Sequence, residues 1–542
     1  MSLPPNRDSS AGPLRAGPSG VVESFDESGV HGWVELPSAA EPVAVDLLVD
    51  DEIVARSWAG EPLERRSTRE VRAFAFALDD LWEYVGPGNR LSVQYRDSPL
   101  PITGHGMHYA PARGGTSTLS ELLRRLGAGE QFDRAGKLKL PKSLDAKWQA
   151  DALRLYADLR DELMAQGLQA ALVYGTLLGA VREGGFIGLD LDFDCAYLSP
   201  HRDGSAAAQQ LRKLAFALID KGFRVQAERA YLTISRPEAP AVRIKLFHLY
   251  ADATGSLHFP FGTAGDAAIT AESWLPLREI SLAGGTVLVP HDAERVLEAI
   301  YGPDWSVPDP GFRWSRDRSS AAISGQLPEA AVEEIYWADF YAHTTFQHGS
   351  TFFDAVNARA DLPDCVVDIG CGDGRDSFAF ARAGRAKITG LDRSHVAVQQ
   401  AARKAAELGL DDRLTFVACD VSEAEALRAI LTAARRGDEP IAFYARFFLH
   451  SIPEDVQRTL LSVVAACARP GDFFAAEFRT DRDEVLHKTY GKHFRRFQSG
   501  QAFGRSLRDR YGFVPLVEQE GNGFSPYQGE DPQLYRVIAR RP

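Results

Sequence analysis

From about Val21 to Tyr109 apolar and polar positions alternate in short runs: GVHGWVEL, VAVDLLVDDEIVARSWA, VRAFAFAL and RLSVQYRD. Alternation of period two, broken by turn residues, predicts half-buried strands, and Asp50-Asp51 between two such runs predicts a hairpin turn. The expected element is a β-sandwich over residues 21–110. Residues 111–144 read as a connector that carries a short helix from Leu119 to Leu126. Lys147 to Gly167 (KWQADALRLYADLRDELMAQG) then repeats apolar residues at helical spacing up to a glycine stop. In the C-terminal third, short apolar runs alternate with helical stretches: CVVDIG, KITGLD, LTFVAC and IAFYAR. That rhythm predicts an α/β sheet.

Breaks in the pattern mark the boundaries. The polar, Pro-rich start MSLPPNRDSSAGPLRAGPSG reads as disordered over residues 1–20 and lacks the pattern of a signal peptide. A Pro/Gly/Ser-rich stretch around Pro308 to Pro328 reads as a second linker, with the boundary drawn at 316–335. Three folded regions result, at 21–110, 145–315 and 336–542, which suits a chain of 542 residues. No internal repeat is visible.

Two short strings carry chemistry. In YGTLLGAVREGGFIGLDLDFD (Tyr174 to Asp194), the carboxylates Asp190, Asp192 and Asp194 fall at alternate positions and would share one face of a strand. Clustered carboxylates repel unless a cation lies between them, and hard oxygen ligands favour Mg²⁺ or Mn²⁺. Upstream, Gly175-Thr176 reads as a tight turn where backbone can approach a phosphate. The second string is CVVDIGCGDGRD (Cys365 to Asp376), an apolar run ending in Gly370, Gly372 and Gly374. Glycines after a strand let the backbone wrap a ligand at the sheet's carboxyl edge. The next strands end in Asp392, where a carboxylate can take two ribose hydroxyls, and in Asp420-Val421, which suits an adenine edge.

The first string resembles the LicD/fukutin family of nucleotidyltransferase-fold phosphotransferases, whose pattern runs roughly YGTLLGAVRxxGFIPWDDDIDI. Leu275-Pro276-Leu277, Val289-Pro290 and VLEAIYGPDW (Val296 to Trp305) resemble that family's closing segment, so the likeness spans 145–315. It implies an α+β domain that transfers a phospho-alcohol unit from a CDP-linked donor to a sugar hydroxyl. Asp190, Asp192 and Asp194 would then be catalytic metal ligands, with Gly175, Thr176 and Arg182 on the substrate. Two departures stand out. Leu189-Asp190-Leu191-Asp192 lacks one of the family's acidic residues. Ile244-Lys245-Leu246-Phe247 puts a lysine where a third carboxylate is usual; protonated, it cannot bind a metal, though it can hold a phosphate. Asp190 or Asp252 would have to compensate, or the domain would be slow or inactive.

The second string resembles class I S-adenosylmethionine-dependent methyltransferases, whose first motif is close to VxDxGCGxG. An NAD site would show wider G-x-G-x-x-G spacing. The likeness implies a Rossmann-like domain holding S-adenosyl-L-methionine through Asp368, Gly370, Gly372, Gly374, Asp392, Asp420 and Val421. Beyond the fourth strand, Arg446 and His450 stand where such enzymes place substrate-facing residues. His450 is a candidate base, set against a purely structural role. Arg479, His493, Arg495 and Arg496 suggest an anion site, with a solvated basic face as the alternative.

Composition narrows the setting. The formal net charge of −13 argues against a nucleic-acid binder. No run reaches the ~18 apolar residues of a membrane span. Five cysteines without paired spacing read as thiols of a cytoplasmic protein. The expected whole is a multidomain, cytoplasmic enzyme of surface-glycan biosynthesis: an N-terminal β-sandwich, which resembles accessory domains beside glycan glycosyltransferases, then a LicD-like phosphotransferase, then a methyltransferase. Its expected partners are a CDP-linked donor and a glycan acceptor, with peripheral attachment to a membrane glycan-assembly complex as an option. The rivals are a methyltransferase whose LicD-like domain only binds glycan or nucleotide, and a non-enzymatic glycan-binding scaffold.

Overall fold

The computed structural model describes residues 20–542 except 37–42, 64–69, 134, 189–191, 266–267, 308–323, 345–347, 487, 489–493 and 528. Asp190, His493, nearly all of the predicted disordered start and residues 308–323 therefore lie outside the described residues, while residues 329–335 of the predicted second linker are helical. The chain forms two compact units: residues 1–198 with 249–323, and residues 199–248 with 324–542.

The first unit begins with two four-stranded sheets. One joins β1 (Gly20–Asp26), β2 (Gly29–Leu36), β5 (Glu70–Phe76) and the short Glu61–Pro62 strand; the other joins β4 (Glu52–Ala59), β3 (Val43–Val49), β6 (Leu91–Tyr95) and Ser98–Pro99. All neighbours are antiparallel. Asp50 and Asp51 turn between β3 and β4 with φ of 48° and 73°. Two left-handed residues match the twist of a two-residue hairpin. Val22, Val34 and Phe74 of one sheet and Val45, Leu47 and Val93 of the other belong to one buried apolar cluster. Leu122 of α1 (Leu119–Gly127) and Leu138 join it, so part of the predicted connector belongs to this core.

Next, α2 (Ala146–Met164) is capped by Asp145, which accepts the Trp148 N–H at 2.9 Å. It buries Trp148, Ala152, Leu155, Tyr156, Leu159 and Leu163, one stripe at helical spacing. The Tyr156 hydroxyl donates to the Ala170 carbonyl at 2.8 Å and accepts from Leu288 N–H at 3.1 Å, which fixes the helix against β7 (Ala170–Leu172). Strand β7 pairs antiparallel with β8 (Phe193–Ser199), and the short helix α3 (Tyr174–Leu178) lies between them in sequence.

In the second unit, α4 (Gly204–Asp220) precedes an antiparallel meander of β9 (Arg224–Glu228), β10 (Tyr231–Arg236) and β11 (Ala239–Ala251). Helix α5 (Glu329–His343) is fastened to this segment. Glu334 takes Arg212 of α4 in a two-pronged pair at 2.8 Å each, and Asp339 accepts the Val225 N–H at 2.7 Å. His248, fully buried on β11, bonds through Nε2 to the Gly325 carbonyl at 2.7 Å, and burial lowers its pKa to about 4. The fold therefore favours neutral His248. Its contribution is complete above the ordinary pKa of about 6.5 and fades as pH falls toward 4. Urea unfolding should show wild type losing on the order of 3 kcal/mol more than His248→Gln across that window. Parallel pH profiles for the two proteins would count against this reading.

The rest of the unit is a seven-stranded sheet. Its strands are β12 (Cys365–Ile369), β13 (Lys387–Asp392), β14 (Leu414–Ala418), β15 (Ile441–Arg446), β16 (Phe473–Arg479), β17 (Val514–Gly521) and β18 (Leu534–Arg540), in the order β14-β13-β12-β15-β16-β18-β17. Strands β12 to β16 are parallel; β18 runs against both its neighbours. Val367, Ile369, Phe443, Phe474 and Phe478 face one apolar cluster, while Val366, Ala442, Tyr444, Phe473 and Ala475 face another. Both faces are covered, as a parallel sheet requires. The strand order reverses between β12 and β15, which opens a crevice at their carboxyl ends.

Candidate functional site

In the first unit the sequence-predicted phosphate turn is a helix. Gly175 and Thr176 lie in the first turn of α3, and the left-handed residue is Tyr174, at φ 47°. A non-glycine residue held there is strained and must be fixed by its surroundings. The Tyr174 hydroxyl donates to the Gly262 carbonyl at 3.0 Å, and its ring meets Phe261 edge-on. Burial first, then the Asp194 charge, holds its phenol pKa well above the ordinary value. Thr176, buried, accepts the Asp194 N–H on its hydroxyl at 2.8 Å. Its visible role is to position the carboxylate strand, a link that no spacing rule predicts across 18 residues.

Asp194 is buried within β8, whereas Asp192 stands half-buried just before that strand. Of these two, only Asp194 lies in the strand. Among the described residues no group of three ligand-type side chains could hold a metal ion. Asp192 and Asp194 are two carboxylates of the predicted set, and Asp190 lies outside the described residues. Asp252, a candidate to compensate, is held in its own turn: it accepts from Thr254 N–H at 2.8 Å and Ser256 N–H at 3.1 Å, and meets His258 Nε2 at 2.8 Å. Arg182 pairs with Glu183 at 2.7 Å and reaches the Trp305 carbonyl at 3.4 Å. Sequence reasoning missed Lys142, which it placed in a connector. Burial lowers its pKa, opposed by the charges of Asp145 and Asp192, and its ammonium lies 4.4 Å from the Trp148 ring centre. Lys245, in the second unit, lies half-buried with its ammonium 5.5 Å from the Tyr231 ring centre.

The crevice of the seven-stranded sheet is more fully built. Gly370, Gly372 and Gly374 all take left-handed φ, at 74°, 56° and 78°. Their missing side chains make room for aromatic rings: a Cβ would come 2.2 Å from Phe448 at Gly370, 2.4 Å from Tyr341 at Gly372 and 2.8 Å from Phe416 at Gly374. A bulky residue at Gly372 would thus strike Tyr341 of α5. The loop is tied to β13: Gly370 and Cys371 N–H donate to the Leu391 carbonyl at 2.7 and 2.9 Å, and Gly372 N–H donates to Asp392 Oδ2 at 2.9 Å. The other Asp392 oxygen accepts Ser394 N–H at 2.8 Å. Burial raises the Asp392 pKa against these bonds. Asp368, beneath the loop, accepts from Ser377 at 2.7 Å, and burial followed by repulsion from Asp376 pushes its carboxyl up to about 7. Asp420 is exposed and accepts Ser422 N–H at 2.9 Å, and Val421 is buried.

Behind the loop lies a network that the sequence did not signal. Buried Asp376 accepts Ser350 N–H and hydroxyl at 2.7 Å each and the Tyr444 hydroxyl at 2.6 Å. Fully buried Glu477 accepts Arg536 Nε at 2.6 Å. His450 is buried with Nδ1 accepting the Arg479 N–H at 3.3 Å. A neutral ring in this bond carries its proton on Nε2, and the contact ties the ring to the end of β16. The predicted arginine cluster is largely internal as well. Arg479 pairs with Asp483 at 2.7 Å and Glu530 at 2.5 Å. Arg496 donates to the Leu449 and Ile452 carbonyls, at 3.3 Å each, and to Gln498 at 3.2 Å. Arg495 is half-buried, and burial followed by the Arg479 charge lowers its pKa.

Comparison with known proteins matches these regions to two families. Residues 167–292 match the LicD/FKTN/FKRP nucleotidyltransferase domain, and residues 364–429 match a methyltransferase domain. The chain carries a LicD domain and a methyltransferase domain. It is an enzyme of transferase type. No curated protein matches the chain. Similar solved structures include the Burkholderia thailandensis 1,6-didemethyltoxoflavin-N1-methyltransferase with bound S-adenosylhomocysteine, at 24% identity over 35% of this chain and 76% of that one, TM-score 0.27. Another is the magnesium protoporphyrin IX methyltransferase of Synechocystis PCC 6803 with bound SAM, at 20% identity over 35% and 78%, TM-score 0.26. A third is a SAM-dependent methyltransferase of Anabaena variabilis, at 18% over 39% and 93%, TM-score 0.30. Among the described residues no helix is long and apolar enough to cross a membrane.

Proposed function

We propose that this chain modifies a surface glycan in the cytoplasm by two transfers: methylation from S-adenosyl-L-methionine by the methyltransferase domain, and transfer of a phospho-alcohol unit from a CDP-linked donor by the LicD domain. The carrying observation is the Gly372–Asp392 bond, which sets a carboxylate at the end of β13 beside the glycine loop. S-adenosylmethionine, when bound, supplies an electrophilic methyl group. Asp392 would accept its ribose hydroxyls, Val421 and Asp420 would flank its adenine, and Gly370 to Gly374 would line its path. Methyl transfer then needs mainly orientation and exclusion of water. Asp192 and Asp194, with Asp190, would hold Mg²⁺ or Mn²⁺. Gly175 and Arg182 would face the donor, and Thr176 would act through Asp194. The paired N-terminal sheets would form a sandwich that binds glycan. Attachment to a glycan-assembly complex would be peripheral.

The test uses the full chain. Asp192→Asn and Asp194→Asn should each abolish phospho-group transfer, measured with CDP-linked donors and Mn²⁺, and leave S-adenosylmethionine affinity unchanged by calorimetry. Full transfer in both variants would remove the carboxylate site. Lys245 at a usual carboxylate position supports a second reading, in which only the methyltransferase catalyses and the LicD domain binds glycan or nucleotide. Under that reading wild type itself shows no metal-dependent transfer.

A further inference from the structure

The carboxyl edge of the seven-stranded sheet is rich in arginines, and their surroundings divide them. Arg375 donates to the His348 carbonyl at 2.8 Å and the Gly349 carbonyl at 3.2 Å. Arg536 engages Glu477 at 2.6 Å, Thr351 at 2.7 Å and the Phe524 carbonyl at 3.3 Å. Arg479 and Arg496 are held as described above. Each of these forks is filled from within the protein. Arg446 is not.

No hydrogen bond to a described residue engages Arg446. Its Nε stands 3.5 Å from Asp376 and 3.6 Å from Glu477, and its guanidinium carbon lies 4.8 Å from the Phe447 ring centre. The side chain is 18% exposed, and its Nε is buried without a hydrogen-bond partner among the described residues. Both nearby carboxylates have closer partners: Glu477 has Arg536, and Asp376 has three shorter hydrogen bonds. The charge of Arg446 is balanced by Asp376, whose closer partners are neutral, but its hydrogen-bond donors remain unspent. As the last residue of β15, it borders the crevice where the strand order reverses, across from the Gly370 to Gly374 loop. Ligands of open α/β sheets bind in such crevices.

We infer that Arg446 is an oxyanion-binding fork at this crevice, shaped for a carboxylate or a phosphate on a molecule that the methyltransferase domain holds. A planar guanidinium matches either group with two parallel bonds, and Asp376 and Glu477 keep it charged and aimed. The inference rests on the methyltransferase reading. The oxyanion has two sources, the amino-acid carboxylate of the methyl donor or a phosphate on the acceptor.

Calorimetry on the full chain separates them. The probes are S-adenosylhomocysteine, 5′-methylthioadenosine, which lacks the amino-acid part, and inorganic phosphate with and without S-adenosylhomocysteine. If the donor's carboxylate is the ligand, Arg446→Gln should weaken S-adenosylhomocysteine roughly tenfold or more and leave methylthioadenosine within about twofold. If the acceptor's phosphate is the ligand, the same variant should lose phosphate binding and keep S-adenosylhomocysteine. Arg446→Lys keeps a charge beside Asp376 and Glu477 and decides the matter should the glutamine variant unfold; a loss of at least about threefold for the same probe is expected. Unchanged affinity for both S-adenosylhomocysteine and phosphate would overturn the inference. Wild type that binds no S-adenosylhomocysteine would instead overturn the methyl-donor reading, with the phosphate arm still testing Arg446.

Discussion

Asp376→Ala is expected to cost the second unit about 3–5 kcal/mol of stability, the scale of breaking a buried charge network by removing one partner. The substitution strands two Ser350 donors and the Tyr444 hydroxyl, which lie 2.6–2.7 Å from this carboxylate. It also leaves Arg446 with Glu477 alone, itself engaged by Arg536. Asp376→Asn should cost less, because one acceptor oxygen and the side-chain volume survive. Urea unfolding followed by near-UV circular dichroism measures both. A midpoint for the alanine variant within error of wild type would mean that the loop is held by its backbone bonds to Leu391 and not by this network.

Asp392→Ala should weaken S-adenosylmethionine binding by about 1.5–3 kcal/mol, roughly 10- to 150-fold. Two losses combine. The ribose hydroxyls lose their acceptor, and Gly372 N–H and Ser394 N–H lose the oxygens that fix the loop and the turn after β13. Asp392→Asn keeps one acceptor oxygen and should recover part of the affinity. Gly372→Val tests the loop differently, because its side chain would press on Tyr341; it should lower stability as well as affinity. Calorimetry that finds Asp392→Ala equal to wild type would take the carboxylate out of the ribose role.

The parts that were legible in the sequence are those fixed locally. Glycines at 370, 372 and 374 announce a left-handed loop because only glycine adopts that backbone cheaply, and an apolar run before them announces a buried strand. The same holds for the hairpin at Asp50-Asp51 and the stripe of α2. Misread features depend on contacts distant in sequence. The turn at Gly175-Thr176 is a helix because Tyr174 absorbs the strained dihedral under tertiary restraint from Gly262. A string of letters offers His450 as a base or as a structural residue, and does not show the Arg479 N–H that its Nδ1 accepts. Which arginine faces a ligand is likewise a question of which carboxylates and carbonyls the others have found.

Residues 199–248 fall inside the stretch matched to the LicD domain, yet they belong to the same compact unit as the methyltransferase sheet. They are joined to α5 through Glu334 and Asp339, and Tyr341 of the same helix rests against Gly372. One chain therefore visits this unit twice. A protease site engineered between residues 308 and 323 would sever the polypeptide without parting the products, since residues 199–248 on one fragment would stay bonded to α5 on the other. Gene fragments cut at the apparent linker would express two incomplete proteins, soluble only when made together.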